Sequence, residues 1–166
     1  INSSLNKRVL ESLSKTDYIV SNSNFTKKLA VDLNFNEEKI VVINPGVEKN
    51  INPTKENIEI TNVLLKNSFP KLITISRFDK RKNHEKIIMT IRNLKEKFPN
   101  IKYLCIGYGE EENNLKKLVK QLKIEDVVIF KKNISSDLKS AFLLQSDLFI
   151  MPSIIYKKSV EGFGIS

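Results

Sequence analysis

Apolar positions along the chain change period several times, and each change marks an element. Leu5, Val9, Leu10 and Leu13 mark one face of a helix, and Asp17-Tyr18-Ile19-Val20-Ser21 follows as a short strand. Ser23 or Asn24 caps a second helix whose buried side is Phe25, Leu29 and Leu33, and Lys39-Ile40-Val41-Val42-Ile43 reads as a second strand closed by the turn Asn44-Pro45-Gly46. From Val47 to about Ser68 the pattern weakens and becomes rich in Asn, Lys and Glu. That stretch reads as a linker with one short helix.

The pattern strengthens again at Lys71. Leu72-Ile73-Thr74-Ile75-Ser76 is a buried type of strand, and Ile87, Ile88, Ile91, Leu94 and Phe98 recur at helical spacing until Pro99-Asn100. Tyr103-Leu104-Cys105-Ile106 forms the next strand, and after Gly107-Tyr108-Gly109 a helix places Leu115, Leu118, Val119 and Leu122 on one face. Val127-Val128-Ile129-Phe130 is a third strand of this series. Ser135 caps a helix with Leu138, Ala141, Phe142 and Leu144 inward, and Leu148-Phe149-Ile150-Met151 is a fourth strand. Strands alternating with amphipathic helices predict the α/β class: a Rossmann-like parallel sheet with helices on both faces.

Composition adds bounds to that picture. The 166 residues carry 28 Lys+Arg against 19 Asp+Glu, a formal charge of +9, with 40% apolar residues and only 5 Gly and 5 Pro. Collagen-like, mucin-like and wholly disordered classes are excluded, and the chain is long enough for a real core. One cysteine, Cys105, allows neither an internal disulfide nor a Cys-rich metal site, so a reducing, cytoplasmic setting is the expectation. No apolar run is long enough for a membrane span. Ile1 and the glycine-punctuated end at Ser166 read as cuts, so we expect a fragment of a longer protein. The scattered lysines read as solvated surface. Attraction to polyphosphate or to an anionic membrane surface stays open, whereas nucleic acid lacks any supporting motif.

Ligands of an open parallel sheet collect beyond the carboxyl ends of its strands. Three such loops carry candidate chemistry. In Arg77-Phe78-Asp79-Lys80-Arg81-Lys82-Asn83-His84, Arg77 leaves the strand directly and Lys82 sits just before a helix, so the pair could straddle a diphosphate; a solvated basic loop is the alternative. Gly107 and Gly109 permit close backbone approach to a ligand, or simply a tight turn. In Glu161-Gly162-Phe163-Gly164-Ile165-Ser166 the two glycines are expected to open a helix whose N–H groups bind an anion, while Glu161 accepts hydrogen bonds from sugar hydroxyls or caps its own helix. His84 reads as a packed or capping residue, Cys105 as a buried small one, and the sequons at Asn2, Asn24 and Asn133 as chance.

Taken in order, these loops resemble the retaining glycosyltransferases of GT-B fold, the group 1 family that uses nucleotide-activated sugars. Ile75-Ser76-Arg77-Phe78 with Lys82-Asn83 is similar to that family's G-R-L…K-G/N segment, and Ile106-Gly107-Tyr108-Gly109 to its G-x-G. Ser146-Asp147-Leu148-Phe149-Ile150-Met151-Pro152-Ser153 is similar to its D-x-x-x-x-P-S strand, and Glu161-Gly162-Phe163-Gly164-Ile165 to the start of its E-x7-E motif. The resemblance implies that residues 1–48 are the tail of an N-terminal acceptor-side domain, 49–70 a linker, and 71–166 an incomplete GT-B-type C-terminal domain that binds the nucleotide sugar. It implies that Arg77 and Lys82 neutralise the donor diphosphate and that Glu161 holds a hydroxyl of the donor sugar. The backbone of Phe163, Gly164 and Ile165 would contact sugar and phosphate, and Asn133-Ile134 with Lys139 would meet the base. No divalent metal and no cofactor beyond the nucleoside-diphosphate sugar are implied; the acceptor would be a glycan or lipid-linked sugar, with peripheral association at the inner membrane face.

Two departures stand out: Ser76 replaces the family's usual glycine, and the second Glu of E-x7-E would fall beyond Ser166. The reaction expected of the whole protein is hexosyl transfer with retention, and the 166-residue chain alone is expected to be inactive. A GT-B sugar-nucleotide epimerase or phosphorylase is a second enzyme reading. A non-catalytic flavodoxin-like binding module is a third, disfavoured by Ser76-Arg77 where an acidic cluster would stand.

Overall fold

The computed structural model describes residues 3–47, 52–157 and 159–166, which fall into two compact units. The first comprises residues up to Val47 together with Glu161–Ile165, and the second runs from Glu48 to Val160 with Ser166.

In the first unit, helix α1 (Ser3–Ser14) precedes strand β1 (Ile19–Ser21), helix α2 (Asn24–Asp32) and strand β2 (Ile40–Val42). The strands pair in parallel, Ile19 opposite Ile40. Ser23 starts α2 with a reciprocal cap: its hydroxyl accepts from the Thr26 amide at 3.1 Å, and the Thr26 hydroxyl accepts from the Ser23 amide at 3.1 Å. The buried face expected for α2 is not buried: Phe25 and Leu33 are exposed and Leu29 is half-exposed, because only two short strands lie beside the helix. Val9 and Leu10 of α1 are likewise exposed, and the side chain of Leu5 lies outside the described residues.

The second unit is a four-stranded parallel sheet in the order β5-β4-β3-β6, with β3 Lys71–Ile75, β4 Lys102–Ile106, β5 Val128–Lys131 and β6 Leu148–Phe149. Successive side chains of a strand face opposite ways, and the sequence uses both faces. Leu72, Tyr103, Cys105 and Val128 join Ile87, Ile88 and Ile91 of α4 (His84–Lys97) and Leu115 and Val119 of α5 (Glu112–Gln121) in one core. Ile73, Leu104 and Ile106 face the other way, toward Phe142 of α6 (Ser136–Gln145) and toward Leu64 and Leu65 at the end of α3 (Lys55–Leu64).

The stretch read as a linker thus contains α3, capped by Thr54 and packed along α6 inside this unit. Its low apolar content is explained by one-sided burial. Leu144 is exposed and Leu143 packs inward instead, since Leu138, Ala141 and Phe142 already define a face that Leu144 turns away from. The fourth strand is only two residues long and has one neighbour, β3, so Leu148 stays exposed. Among the described residues no helix is long and apolar enough to cross a membrane.

Candidate functional site

The chain runs β3, β4, β5 to one side and returns to β6 on the other, so the order reverses between β3 and β6. Such a switch point opens a crevice at the carboxyl ends of the strands. The loops after β3 and β6 meet there: the Ile154 amide donates to the Arg81 carbonyl at 2.9 Å, and Asn83 Nδ2 to the Pro152 carbonyl at 3.4 Å.

The loop after β3 is held by Asp79. Its Oδ1 accepts from the Lys82 amide at 3.1 Å and caps a single 3-10 turn over Lys80–Lys82, while Oδ2 lies 3.4 Å from Arg77 Nη2. An exposed ion pair of this kind adds little stability. Its effect is local order: one carboxylate holds the loop backbone at Lys82 and pairs with the Arg77 guanidinium. Asn83 then adopts a left-handed conformation (φ 58°) and turns the chain into α4. Lys82 is buried, and its Nζ lies 3.7 Å from Met151 Sδ of the loop after β6.

Arg77, Gly107, Ile134 and Lys139 line one cleft of about 240 Å³, together with Ser76 and Asn133. Five of them stand just beyond the ends of β3, β4 and β5, and Lys139 lies near the start of α6. Arg77 pairs with Asp79 yet is largely exposed, so an anion can reach its guanidinium; Lys139 is half-buried, and Asn133 sits at φ 52°. A larger cleft of about 420 Å³ lies between α3 and α6, but Ile60, Val63, Leu138 and Phe142 make it apolar, and it lies away from the loops after β3 and β6. The smaller one, with Arg77, Asn133 and Lys139 in its lining, is the better site for an anionic ligand.

The two glycines serve the protein's own backbone. A Cβ on Gly107 would strike the Ser76 carbonyl oxygen, and one on Gly109 would meet the Phe78 main chain. The loops after β3 and β4 therefore lie in contact, tied by the Phe78 amide donating to the Tyr108 carbonyl at 2.9 Å. Gly107 also borders the cleft; Gly109 does not.

His84, at the first turn of α4, is almost fully buried and meets the Phe78 ring edge-on at 4.9 Å between centroids. Its Nε2 is 2.9 Å from Ser76 Oγ, and its Nδ1 is 3.1 Å from the Tyr103 hydroxyl. Burial, opposed by the nearby Asp79 carboxylate and the Arg77 carbonyl and assisted by Lys82, pushes its pKa down to about 4, so the ring is neutral at pH 7. Ser76, Asp79 and His84 escaped the sequence reading as site residues. Only the excess of polar groups around Arg77 hinted at them.

Glu161, Phe163, Gly164 and Ile165 belong to the first unit. Their segment is irregular rather than the helix start expected from its glycines. The Gly162 carbonyl accepts from Ser23 Oγ at 2.6 Å, and Gly162 packs against Asn22 and Thr26.

Comparison with known proteins agrees with this fold. WcaL of Escherichia coli K12, whose name assigns it to colanic acid biosynthesis as a glycosyltransferase, is 31% identical over 84 residues, covering 51% of this chain and 21% of that protein. The match thus spans about a fifth of that relative's length. The crystal structure of Anabaena Alr3699/HepE in complex with UDP and glucose superposes with a TM-score of 0.78 at 20% identity, over 98% of this chain and 44% of that one. The pneumococcal O-GlcNAc transferase GtfA in complex with UDP and GlcNAc gives 0.71 at 18% identity, over 93% and 28%. These structures share the α/β fold of GT-B glycosyltransferases, with parallel sheets and helices on both faces. Residues 56–166, which contain the whole of the β3-to-β6 sheet and its cleft, match the family described as glycosyl transferases group 1, and the chain belongs to that family.

Proposed function

We propose that the second unit binds the nucleoside diphosphate of a sugar donor and that the intact protein transfers the sugar, a hexose, to a glycan or lipid-linked acceptor with retention of anomeric configuration. The observation that carries this reading is the loop after β3, where Asp79 sets Arg77 and Lys82 at the switch point of a parallel sheet. Family membership supports it, as do fold relatives solved with UDP and a sugar.

In such a reaction the leaving nucleotide gains negative charge as the glycosidic bond breaks. A planar guanidinium and an ammonium already in place stabilise that charge more than they stabilise the bound donor, which lowers the barrier. Because two cations supply this charge, we propose that no divalent metal is needed; EDTA should leave UDP affinity unchanged. Ile134 and Lys139 would meet the base. Glu161 would accept from a sugar hydroxyl, with the backbone of Phe163, Gly164 and Ile165 beside sugar and phosphate, an assignment that rests on the family motif alone. On the same ground, residues 1–48 would end an acceptor-side domain, 49–70 link it, and 71–166 form the donor-side domain of a cytoplasmic enzyme acting at the inner membrane face.

Titration calorimetry of the intact protein with UDP, GDP and ADP tests the site. Arg77→Ala and Lys82→Ala should each weaken binding about thirtyfold, the worth of a charge-assisted hydrogen bond of roughly 2 kcal/mol. Nucleoside-diphosphate affinity indifferent to both substitutions would sink the proposal.

A further inference from the structure

A line of hydrogen bonds runs from the cleft through the core of the second unit. Its proton directions are forced from the far end. The Ile150 carbonyl can only accept, so Thr74 Oγ1, at 2.6 Å, must donate to it. Thr74 has no second hydrogen, so the Tyr103 hydroxyl, at 2.9 Å, must donate to Thr74. Tyr103 then has only lone pairs for His84 Nδ1 at 3.1 Å, which makes Nδ1 the protonated nitrogen. A neutral imidazole carries one N–H, so Nε2 is bare and accepts from Ser76 Oγ at 2.9 Å. The Arg77 carbonyl, 3.3 Å from the same hydroxyl, is a longer alternative, and choosing it would leave the buried Nε2 without its donor. Both acceptors lie within the protein. The single proton of Ser76 is consumed internally, while the residue lines the cleft beside Arg77.

We propose that Ser76 is a specificity-determining residue of this cleft: it presents lone pairs alone, accepts a hydrogen bond from a ribose or sugar hydroxyl, and is held in that state by His84 as a positioning residue. This rests on the donor reading given above and deepens it. Phosphate oxygens are acceptors and gain nothing from a second acceptor, so Arg77 serves the phosphate and Ser76 serves the hydroxyl. A serine whose proton were free would be indifferent between the two.

The test has two arms on the intact protein. In the first, wild type and Ser76→Ala are titrated with UDP, 2′-deoxy-UDP, 3′-deoxy-UDP, UDP-glucose and the UDP-deoxyglucoses. Ser76→Ala should bind the ligand carrying the recognised hydroxyl about tenfold more weakly, and should match wild type on the one analogue that lacks it. An effect already present with UDP places that hydroxyl on the ribose; one confined to UDP-glucose places it on the sugar. Equal loss against every analogue, or affinities within twofold throughout, overturns the proposal. In the second arm, ¹⁵N imidazole spectra of the unliganded protein at pH 7, with the signal assigned by its loss in His84→Gln, should show Nδ1 protonated and Nε2 bare. The opposite tautomer overturns the relay whatever the ligands do. Failure of wild type to bind UDP, GDP or ADP at all would overturn the donor reading and the ligand half of this proposal, while the tautomer still decides the relay.

Discussion

Gly107→Ala is expected to destabilise the protein by about 3 kcal/mol, read as a fall in the urea midpoint with unchanged slope. Gly107 holds φ +151°, a conformation that L side chains rarely adopt, and the added methyl would run into the Ser76 carbonyl oxygen. Neither partner can step aside cheaply. The Ser76 amide donates to the Ile106 carbonyl at 3.0 Å, and the Gly107 amide to the Lys131 carbonyl at 2.9 Å, so moving apart breaks bonds that join β3 to β4 and β4 to β5. Gly46→Ala serves as the control, because nothing lies within 4 Å of its added methyl. Midpoints that agree between the two variants would show that the loops after β3 and β4 are not in contact as described.

Acid should weaken the protein through His84. His84 has an ordinary pKa of 6.5 when unfolded and about 4 when folded, so between these values the unfolded chain binds the extra proton. Stability then falls as the pH drops from 6.5 toward 4, by roughly 1.4 kcal/mol per unit and about 3 kcal/mol in all. Glu112 and Asp126 are held below their ordinary values of 4.5 and 3.8, chiefly by hydrogen bonds from Lys116 and Lys95, and their stabilising effect is lost only at lower pH. Denaturation between pH 5 and 6.5 therefore isolates the histidine. His84→Gln should flatten the slope in that window even if its overall stability is lower, and an unchanged slope would assign the effect elsewhere.

The parallel sheet was legible because each of its buried strands is a short apolar run followed by a helix of regular period. Resemblance to the family's motifs singled out Arg77, Lys82 and Gly107, where spacing alone left a solvated loop and a tight turn open. What stayed hidden depends on contacts distant in sequence. Ser76, His84, Tyr103 and Thr74 come together only once β3, β4 and α4 have packed, and no local pattern distinguishes this tyrosine from an ordinary core aromatic. In the sequence Asp79 is one residue of a basic loop, whereas in the fold its carboxylate holds the Lys82 backbone and pairs with Arg77. Helix α3 was underrated because a helix buried on one side shows few apolar residues. The faces of α1 and α2 had the right period, yet period reports amphipathicity and says nothing of whether a neighbour covers it.

Cys105 offers a consequence of a different kind. It sits fully buried in the middle of β4, between two paired strands, and burial pushes its thiol well above the ordinary range, so hardly any thiolate exists at neutral pH. Alkylating reagents can reach it only when the core between the sheet and helices α4 and α5 opens. Its labelling rate, compared with that of a free cysteine peptide, thus measures how often that layer opens under native conditions. As the only cysteine of these 166 residues, it is a built-in clock for the loosening of the core beneath the cleft.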